Sequence, residues 1–270
     1  MRQPRWVAAI EHALHVRRNL RGINRFPDPH AYFGPGGVAE AEALCNEANR
    51  DLLAFILPPP VLAARNVERT RLPRTRSRAF VRQYRFDSPL PSGDPSNDRV
   101  EVRVFRHPSC RHNRRALLFH HPIYQNDWSI WSWFLAPLVR VAPVIMMAAP
   151  HHHARKSAAA RYAGELAMNP NPARLFEAIR QWCWDHRATE TLAREELGFE
   201  IGGVVGYSYG AFQSLLLASA GGIRQPIVSI ASTNRYAFGL SNGVLGRGVI
   251  DGMKRAGIDS DTLYRLTDSL

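Results

Sequence analysis

One short stretch of the chain holds a serine in a setting suited to nucleophilic chemistry. Residues 206–210 read Gly-Tyr-Ser-Tyr-Gly, with Ser208 at the centre. A serine hydroxyl attacks a carbonyl carbon when a base, usually a histidine, removes its proton and N–H groups stabilise the oxyanion that forms. Ser208 is therefore the candidate nucleophile of an acyl-transfer reaction. The alternative is a glycine-rich turn in which the serine has no chemical role.

The residues on either side of Ser208 predict the elements that would position it. An apolar run that contains Ile201, Val204 and Val205 precedes the pentapeptide, and an apolar helical stretch to Ala220 follows it. Strand, sharp turn and helix are the context in which a serine between two glycines is pushed out of the end of a sheet, as a nucleophile elbow.

The elbow also predicts where the oxyanion would be held. The N–H group of Tyr209, which follows the nucleophile, would point at the oxyanion, and a second donor would come from the loop after the third strand. Because Pro122 has no N–H, His121 or Ile123 would supply that second donor. The residues that we expect to line the pocket are His120, Tyr124, Tyr207 and His151.

Alternating strand and helix patterns predict an α/β fold with a mostly parallel sheet that is covered on both faces. Strands are predicted at residues 80–86, 100–104, 116–119, 144–149 and 226–231, and helices at 38–56, within 128–139 and from Asn171-Pro172 onwards. We divide the chain into an N-terminal helical and loop extension, residues 1–78, and an α/β domain, residues 79–270. The extension includes an amphipathic helix predicted over Arg5–Leu20.

These features together resemble the α/β-hydrolase superfamily, with the last strands of that fold absent. The resemblance depends on the elbow, the strand that ends at His120, the Pro150 loop with Arg155 and Lys156, the long helix and the strand after the elbow helix. The segment Gly243-Val244-Leu245-Gly246-Arg247 makes the chain similar to the abhydrolase-domain-containing-eighteen group. The resemblance implies an esterase or lipase-like serine hydrolase that acts on small-molecule or lipid esters and needs no cofactor.

The partners of the serine are harder to find. In this family the triad follows the chain order serine, acid, histidine, yet all eleven histidines precede Ser208. The acids that follow it are Asp251, Asp259, Asp261 and Asp268. Three explanations stay open: the chain is truncated, it is catalytically inactive, or a base comes from upstream, from His120, His121 or residues 151–153.

The run of three histidines at residues 151–153 is also a candidate metal site. Adjacent residues in extended chain point to opposite sides, so the three side chains would not converge on one ion. We therefore expect a loop near the active site and no metal. The cysteines, Cys45, Cys110 and Cys183, are odd in number and scattered, which favours neither a disulfide framework nor a zinc site.

The net charge of +12 would attract anionic partners. No nucleic-acid reading motif accompanies the dense arginines of residues 65–85, so we expect a solvated basic face and no nucleic acid. No apolar run approaches the roughly 20 residues of a membrane span, and no secretory signal is visible. The expectation is a cytoplasmic protein, with peripheral contact between the basic N-terminal helix and an anionic membrane as a further hypothesis.

The sequence thus predicts a serine hydrolase that forms an acyl-serine intermediate at Ser208. Two alternatives remain beside it. One is a non-catalytic α/β-hydrolase-fold protein that binds a ligand or acts as a scaffold, which the missing histidine favours. The other is a binder of anionic polymers or membrane surfaces, which the arginine content favours.

Overall fold

A computed structural model of the protein describes residues 25–75, 78–126, 128–230 and 246–270. The strands are β1 Arg65–Leu72, β2 Phe80–Asp87, β3 Arg99–Arg106, β4 Arg115–His120, β5 Val144–Met147, β6 Glu200–Tyr207 and β7 Ile227–Ile230. The α-helices are α1 Gly37–Arg50, α2 Leu52–Ile56, α3 Ser129–Phe134, α4 Pro172–Glu195, α5 Tyr209–Ser219, α6 Arg247–Arg255 and α7 Ser260–Leu266.

The strands form one mixed sheet in the order β1-β2-β3-β5-β4-β6-β7. Neighbouring strands from β5 to β7 pair in parallel, whereas β1-β2, β2-β3 and β3-β5 are antiparallel pairs. Strand β2 therefore points the same way as β4 to β7, and only β1 and β3 are reversed. The predicted α/β fold class, a mostly parallel sheet flanked by helices, is confirmed.

Successive side chains of the central strands enter two different cores, as the pleat of a strand requires. Leu118 and Val204 lie in the larger core with helices α1, α2, α4 and α5, whereas Phe119 and Val205 lie in a smaller core that helix α3 covers. Because β4, β5 and β6 are parallel, their carboxyl ends meet at one edge of the sheet, between the two cores. That edge carries the candidate site.

Two local predictions differ from the structure. The helix predicted over residues 38–56 is broken at Asp51, whose extended backbone (φ −154°) ends α1 and whose carboxylate accepts the Ala54 N–H at the start of α2. Strand β1 was not predicted, because its residues are exposed or only half-buried and show no apolar alternation. The helix predicted over Arg5–Leu20 lies outside the described residues.

The C-terminal helices pack against the start of the described chain. The side-chain amide of Asn49 donates to the carbonyl oxygens of Arg265 and Leu266, at 3.2 and 3.0 Å. The guanidinium of Arg255 donates to the carbonyl oxygens of Phe26 and Pro27. In the part of the chain that the structure describes, every helix is too short or too polar to cross a bilayer.

Candidate active site

The predicted elbow is present in the structure. Strand β6 ends at Tyr207, α5 begins at Tyr209, and Ser208 between them has φ 52° and ψ −116°. Such a positive φ is uncommon for a residue with a Cβ and costs conformational energy. The turn is held by the Ser208 N–H, which donates to the Ile230 carbonyl at 2.7 Å, and by the Ser208 carbonyl, which accepts from the Phe212 N–H at 3.0 Å.

Close backbone approach requires both glycines of the pentapeptide. A Cβ at Gly206 would lie 2.5 Å from the Cα of Ala211, in the first turn of α5. A Cβ at Gly210 would overlap the carbonyl oxygen of His120 and lie 2.7 Å from that of His121. The helix therefore begins directly against the strand it follows and against the end of β4.

The Ser208 side chain is half-buried, and the described residues form no hydrogen bond to its hydroxyl. Helix geometry leaves the Tyr209 N–H, at the first position of α5, without an intrahelical acceptor. The N–H groups of His121 and Ile123, the other candidate donors, give no hydrogen bond to a described backbone carbonyl either. Because His121 touches Gly210, these donors belong to the loop that abuts the elbow.

His120 takes part in a buried chain of polar side chains. Its Nδ1 is 2.6 Å from the Ser214 hydroxyl, which itself donates to the Gly210 carbonyl. Nδ1 therefore carries a hydrogen and donates a hydrogen bond to the Ser214 oxygen. The other ring nitrogen accepts from Nδ1 of His186, at 3.2 Å, and His186 Nε2 lies 3.8 Å from the Glu190 carboxylate. Both nitrogens of His120 are thus engaged away from Ser208.

Burial disfavours the charged forms of the ionisable groups in this chain. It lowers the pKa of His186 to about 3 and that of His120 well below its ordinary value, with the neighbouring His186 acting in the same direction. Burial also raises the pKa of the Glu190 carboxyl, although the Arg187 guanidinium opposes it. We conclude that His120, which packs edge-on against Trp182, is part of the core and not a free base.

His121 and His152 are occupied in a similar way. Nδ1 of His121 lies 2.7 Å from the Pro122 carbonyl, and its Nε2 accepts the Ala149 N–H at 2.9 Å. Nδ1 of His152 lies 2.7 Å from the Pro150 carbonyl, and its Nε2 accepts an N–H of the loop after β4 at 3.1 Å. Neither ring has a nitrogen left over for the Ser208 hydroxyl.

The three consecutive histidines diverge. His151, with φ 64°, lines a cavity of about 880 Å³ that it shares with Tyr32, Phe55 and the start of α4. The ring of His153 stacks on Trp128 at 4.3 Å between ring centres. In the described residues no group of three or more histidine, cysteine or acidic side chains converges as a metal site would require.

The remaining predicted pocket residues lie on different sides of the elbow. The ring of Tyr207 faces Phe134 of α3, at 6.1 Å between centres, and Tyr124, with φ 63°, packs edge-on against Tyr162 at 5.7 Å. His151 lies in a cavity to which no residue of the elbow contributes a wall. The structure therefore brings His120 and His121 to the elbow and places His151 in a separate space.

The acids that follow Ser208 do not approach the described histidines. The four carboxylates, Asp251, Asp259, Asp261 and Asp268, are all exposed. Asp259 caps α7, accepting the Thr262 N–H at 2.8 Å. No described ion pair or hydrogen bond joins any of the four to a histidine.

Sequence reasoning missed a buried network that fixes the loop after β5. Arg155 and Asp185, both fully buried, form an ion pair at 2.7 Å, and Ser88 donates to the same carboxylate at 2.6 Å. The guanidinium of Arg155 also donates to the carbonyl oxygens of Asn97 and Ala148. A buried charge is tolerated when it is paired and hydrogen-bonded in this way. No local sequence pattern predicts this network, because its members lie far apart along the chain.

The chain was compared with family models, with curated proteins and with solved structures. No family model and no curated protein matches the sequence. Solved structures do match, among them acetyl xylan esterase 1 from Thermoanaerobacterium sp. JW/SL YS485, which is 14% identical over 92% of this chain and 79% of that chain, with a TM-score of 0.48. Esterases and lipases are among the solved structures to which the chain is similar at low identity.

Two further solved structures are also similar to the chain at low identity. Acetyl xylan esterase from Paenibacillus sp. R4 is 12% identical over 91% of this chain and 74% of that chain, with a TM-score of 0.48. Brefeldin A esterase, a bacterial homologue of human hormone-sensitive lipase, is 14% identical over 87% of this chain and 61% of that chain, with a TM-score of 0.37. Likeness at these identities concerns the fold alone.

Proposed function

We propose that this chain is a serine hydrolase that cleaves acyl esters through an acyl-serine intermediate at Ser208. The observation that carries the proposal is the backbone of the elbow, in which a residue with a Cβ is held at φ 52° between the end of a parallel strand and the start of a helix. Backbone strain of this kind persists where the surroundings enforce it, and it clusters at active sites. The two glycines that allow it have no room for a side chain.

The proposed reaction has two steps. The Ser208 oxygen attacks the ester carbonyl carbon, the bond to the alcohol oxygen breaks, and the alcohol leaves with the proton that the serine gave up. Water then attacks the acyl-serine, releases the carboxylic acid and restores the hydroxyl. The oxyanion of each step would accept the Tyr209 N–H and a second N–H from His121 or Ile123. Small-molecule or lipid esters are the proposed substrates.

A second candidate function is a non-catalytic protein of the same fold that binds a ligand. The observation that favours it is the engagement of both ring nitrogens of His120, His121 and His152. No described histidine is hydrogen-bonded to Ser208, and His12 and His15 lie outside the described residues. A binding protein would keep the fold and the cavity without turning over esters.

Hydrolysis of p-nitrophenyl esters separates the two functions. A hydrolase is expected to release p-nitrophenol catalytically, with acyl chains from acetyl to decanoyl defining its preference. Ser208→Ala should lower kcat/KM by more than about a thousandfold, because the nucleophile is lost. Ser219→Ala, an exposed serine at the end of the same helix, is the matched control and should keep the wild-type rate. Folded protein with no hydrolysis that depends on Ser208 would favour the binding protein.

A further inference from the structure

Two loops at the carboxyl edge of the sheet hold one another through histidine side chains. His121, in the loop after β4, accepts the N–H of Ala149 from the loop after β5. His152, in the loop after β5, accepts the N–H of Tyr124 from the loop after β4. The two rings are 5.2 Å apart at an interplanar angle of 64°. Each loop therefore supplies one histidine acceptor and one backbone donor to the other.

The partners of these rings fix their protonation without ambiguity. In both histidines Nδ1 faces a proline carbonyl, of Pro122 or Pro150, which only accepts, so Nδ1 carries the hydrogen. In both, Nε2 faces a backbone N–H, which only donates, so Nε2 carries the lone pair. The contact exists only while both rings are neutral. If Nε2 were protonated, its N–H would face the backbone N–H of the other loop, and the hydrogen bond between the loops would be lost.

We propose that His121 and His152 are positioning residues that form a reciprocal histidine latch, which holds the loop carrying the second oxyanion donor against the nucleophile elbow. This role rests on the proposed function of Ser208. His121 has one of the candidate donor N–H groups in its own backbone, and Ile123 lies between the two latched positions. Gly210 of the elbow leaves no space between itself and the carbonyls of His120 and His121. A shift of the latched loop would therefore move the donor relative to Ser208.

Strain around the latch agrees with this role. Tyr124, His151 and His153 have φ values of 63°, 64° and 50°, so residues next to the latch are held in an unfavourable backbone conformation. A Cβ on Gly164 would lie 2.6 Å from Nε2 of His152, and the absence of that atom leaves room for the bond to Tyr124. The rest of the fold therefore stabilises the strained backbone of these two loops.

Several titratable or charged groups face the two rings, and burial lowers the pKa of both rings more than the Pro122 and Pro150 carbonyls raise it. His151, His153 and Arg155 come from the loop after β5, His120 comes from the end of β4, and the ring of Tyr209 comes from α5. Burial lowers the pKa of His121 to about 4, and burial with the neighbouring His121 lowers the pKa of His152. The unfolded rings titrate near 6.5, so acid favours release of the latch, which stays closed at neutral pH and opens toward pH 4.

Paired substitutions at one position test the latch. Glutamine places its side-chain oxygen as many bonds from Cα as histidine Nε2, and asparagine places its amide where Nδ1 lies. His152→Gln therefore keeps an acceptor for the Tyr124 N–H, and His152→Asn keeps only the donor to Pro150. His30→Asn, at an exposed histidine, is the control.

We expect the Tyr124 amide to exchange with solvent about tenfold faster in His152→Asn than in wild type, which corresponds to one lost hydrogen bond, and His152→Gln to restore most of the protection. The rate at which a fluorophosphonate modifies Ser208 should follow the same order. Equal behaviour of folded Asn and Gln variants, or unchanged Tyr124 protection in His152→Asn, would overturn the latch. Because amide exchange needs no activity, it decides the latch even if wild-type Ser208 proves unreactive.

Nitrogen NMR of the wild-type protein provides a second test that needs no variant. The latch requires His121 and His152 to be neutral at pH 6, with the proton on Nδ1. Observation of that tautomer for both rings supports the proposal. Either ring protonated at pH 6, or carrying its hydrogen on Nε2, would refute it.

Discussion

Two serines, one directly before α5 and one in the middle of it, have opposite surroundings. Ser208 is half-buried, has a strained backbone and forms no side-chain hydrogen bond with the described residues. Ser214 is fully buried, and its hydroxyl lies 2.6 Å both from Nδ1 of His120 and from the Gly210 carbonyl. Through His120 that hydroxyl is connected to His186 and, beyond it, to Glu190.

The difference shows that connectivity alone does not make a catalytic serine. Ser214 is connected through two histidines to a glutamate, yet its hydroxyl accepts from His120, donates to the Gly210 carbonyl and is fully buried. Ser208 forms no such chain with the described residues. It is half-buried and directly precedes the first turn of α5, where helix geometry leaves N–H groups without intrahelical acceptors. Exposure and backbone placement are the grounds on which we propose Ser208 as the nucleophile, and its hydrogen bonds place Ser214 in the core.

Substitution of Gly210 should have the largest effect, because the start of α5 packs against the end of β4 with no room for a Cβ at this position. In Gly210→Ala the new Cβ would overlap the His120 carbonyl oxygen, and backbone atoms on both sides cannot yield easily. We expect the free energy of unfolding to fall by about 3 kcal/mol, and ester hydrolysis to be lost. Urea unfolding followed by circular dichroism measures the first effect.

Gly202 in β6 offers the matched control. A Cβ there would meet its nearest atom at 3.5 Å, which is an ordinary contact. Gly202→Ala should change the free energy of unfolding by less than about 0.5 kcal/mol. Equal destabilisation by the two substitutions would mean that the close approach of Gly210 to β4 is not what makes a glycine necessary there.

The two serines themselves should respond in opposite ways, with a smaller effect. Ser214→Ala leaves the Nδ1–H of His120 buried without an acceptor, which should cost about 1–3 kcal/mol of unfolding free energy. Ser208→Ala removes a hydroxyl without a described partner and should stay within about 0.5 kcal/mol of wild type. Hydrolysis should be lost in Ser208→Ala and kept in Ser214→Ala at a temperature where that variant is folded.

One result opposite to these predictions would contradict the comparison between Ser208 and Ser214. If Ser214→Ala were as stable as wild type, the chain through His120 would not hold the core. If a folded Ser214→Ala lost hydrolysis while Ser208→Ala kept it, the two assignments would have to be exchanged. Thermal unfolding and initial rates, measured on the same preparations, decide between these outcomes.

Local patterns predicted most of the fold. The strand, turn and helix around Ser208 could be predicted because apolar periodicity and two glycines determine them within a short stretch. The cap of α4 could be predicted for the same reason, since the side chain of Asn171 accepts the N–H of Ala173, only two residues further along the chain. Strand β1 could not be predicted, because an exposed edge strand needs no apolar alternation.

The surroundings of the site could not be predicted, because they depend on contacts between distant segments. His120 and His121 are adjacent in sequence, yet one is hydrogen-bonded to α4 and α5 and the other to the loop after β5. The ion pair of Arg155 with Asp185 likewise joins a loop to the middle of a helix. Residue type gives the chemistry that each side chain can perform, and only the packed structure decides which nitrogen or oxygen is left to perform it.

Mapping of a covalent adduct tests the central claim most directly. In folded wild-type protein the Ser208 oxygen should attack the phosphorus of a fluorophosphonate, the P–F bond should break, and fluoride should leave with the serine proton. The peptide that contains Ser208 then carries the phosphonyl group. Mass spectrometry should find the group on Ser208 and not on Ser214, and Ser208→Ala should remove it. An adduct that survives in Ser208→Ala, or folded wild-type protein with no adduct at Ser208, would contradict the assignment of Ser208 as the nucleophile.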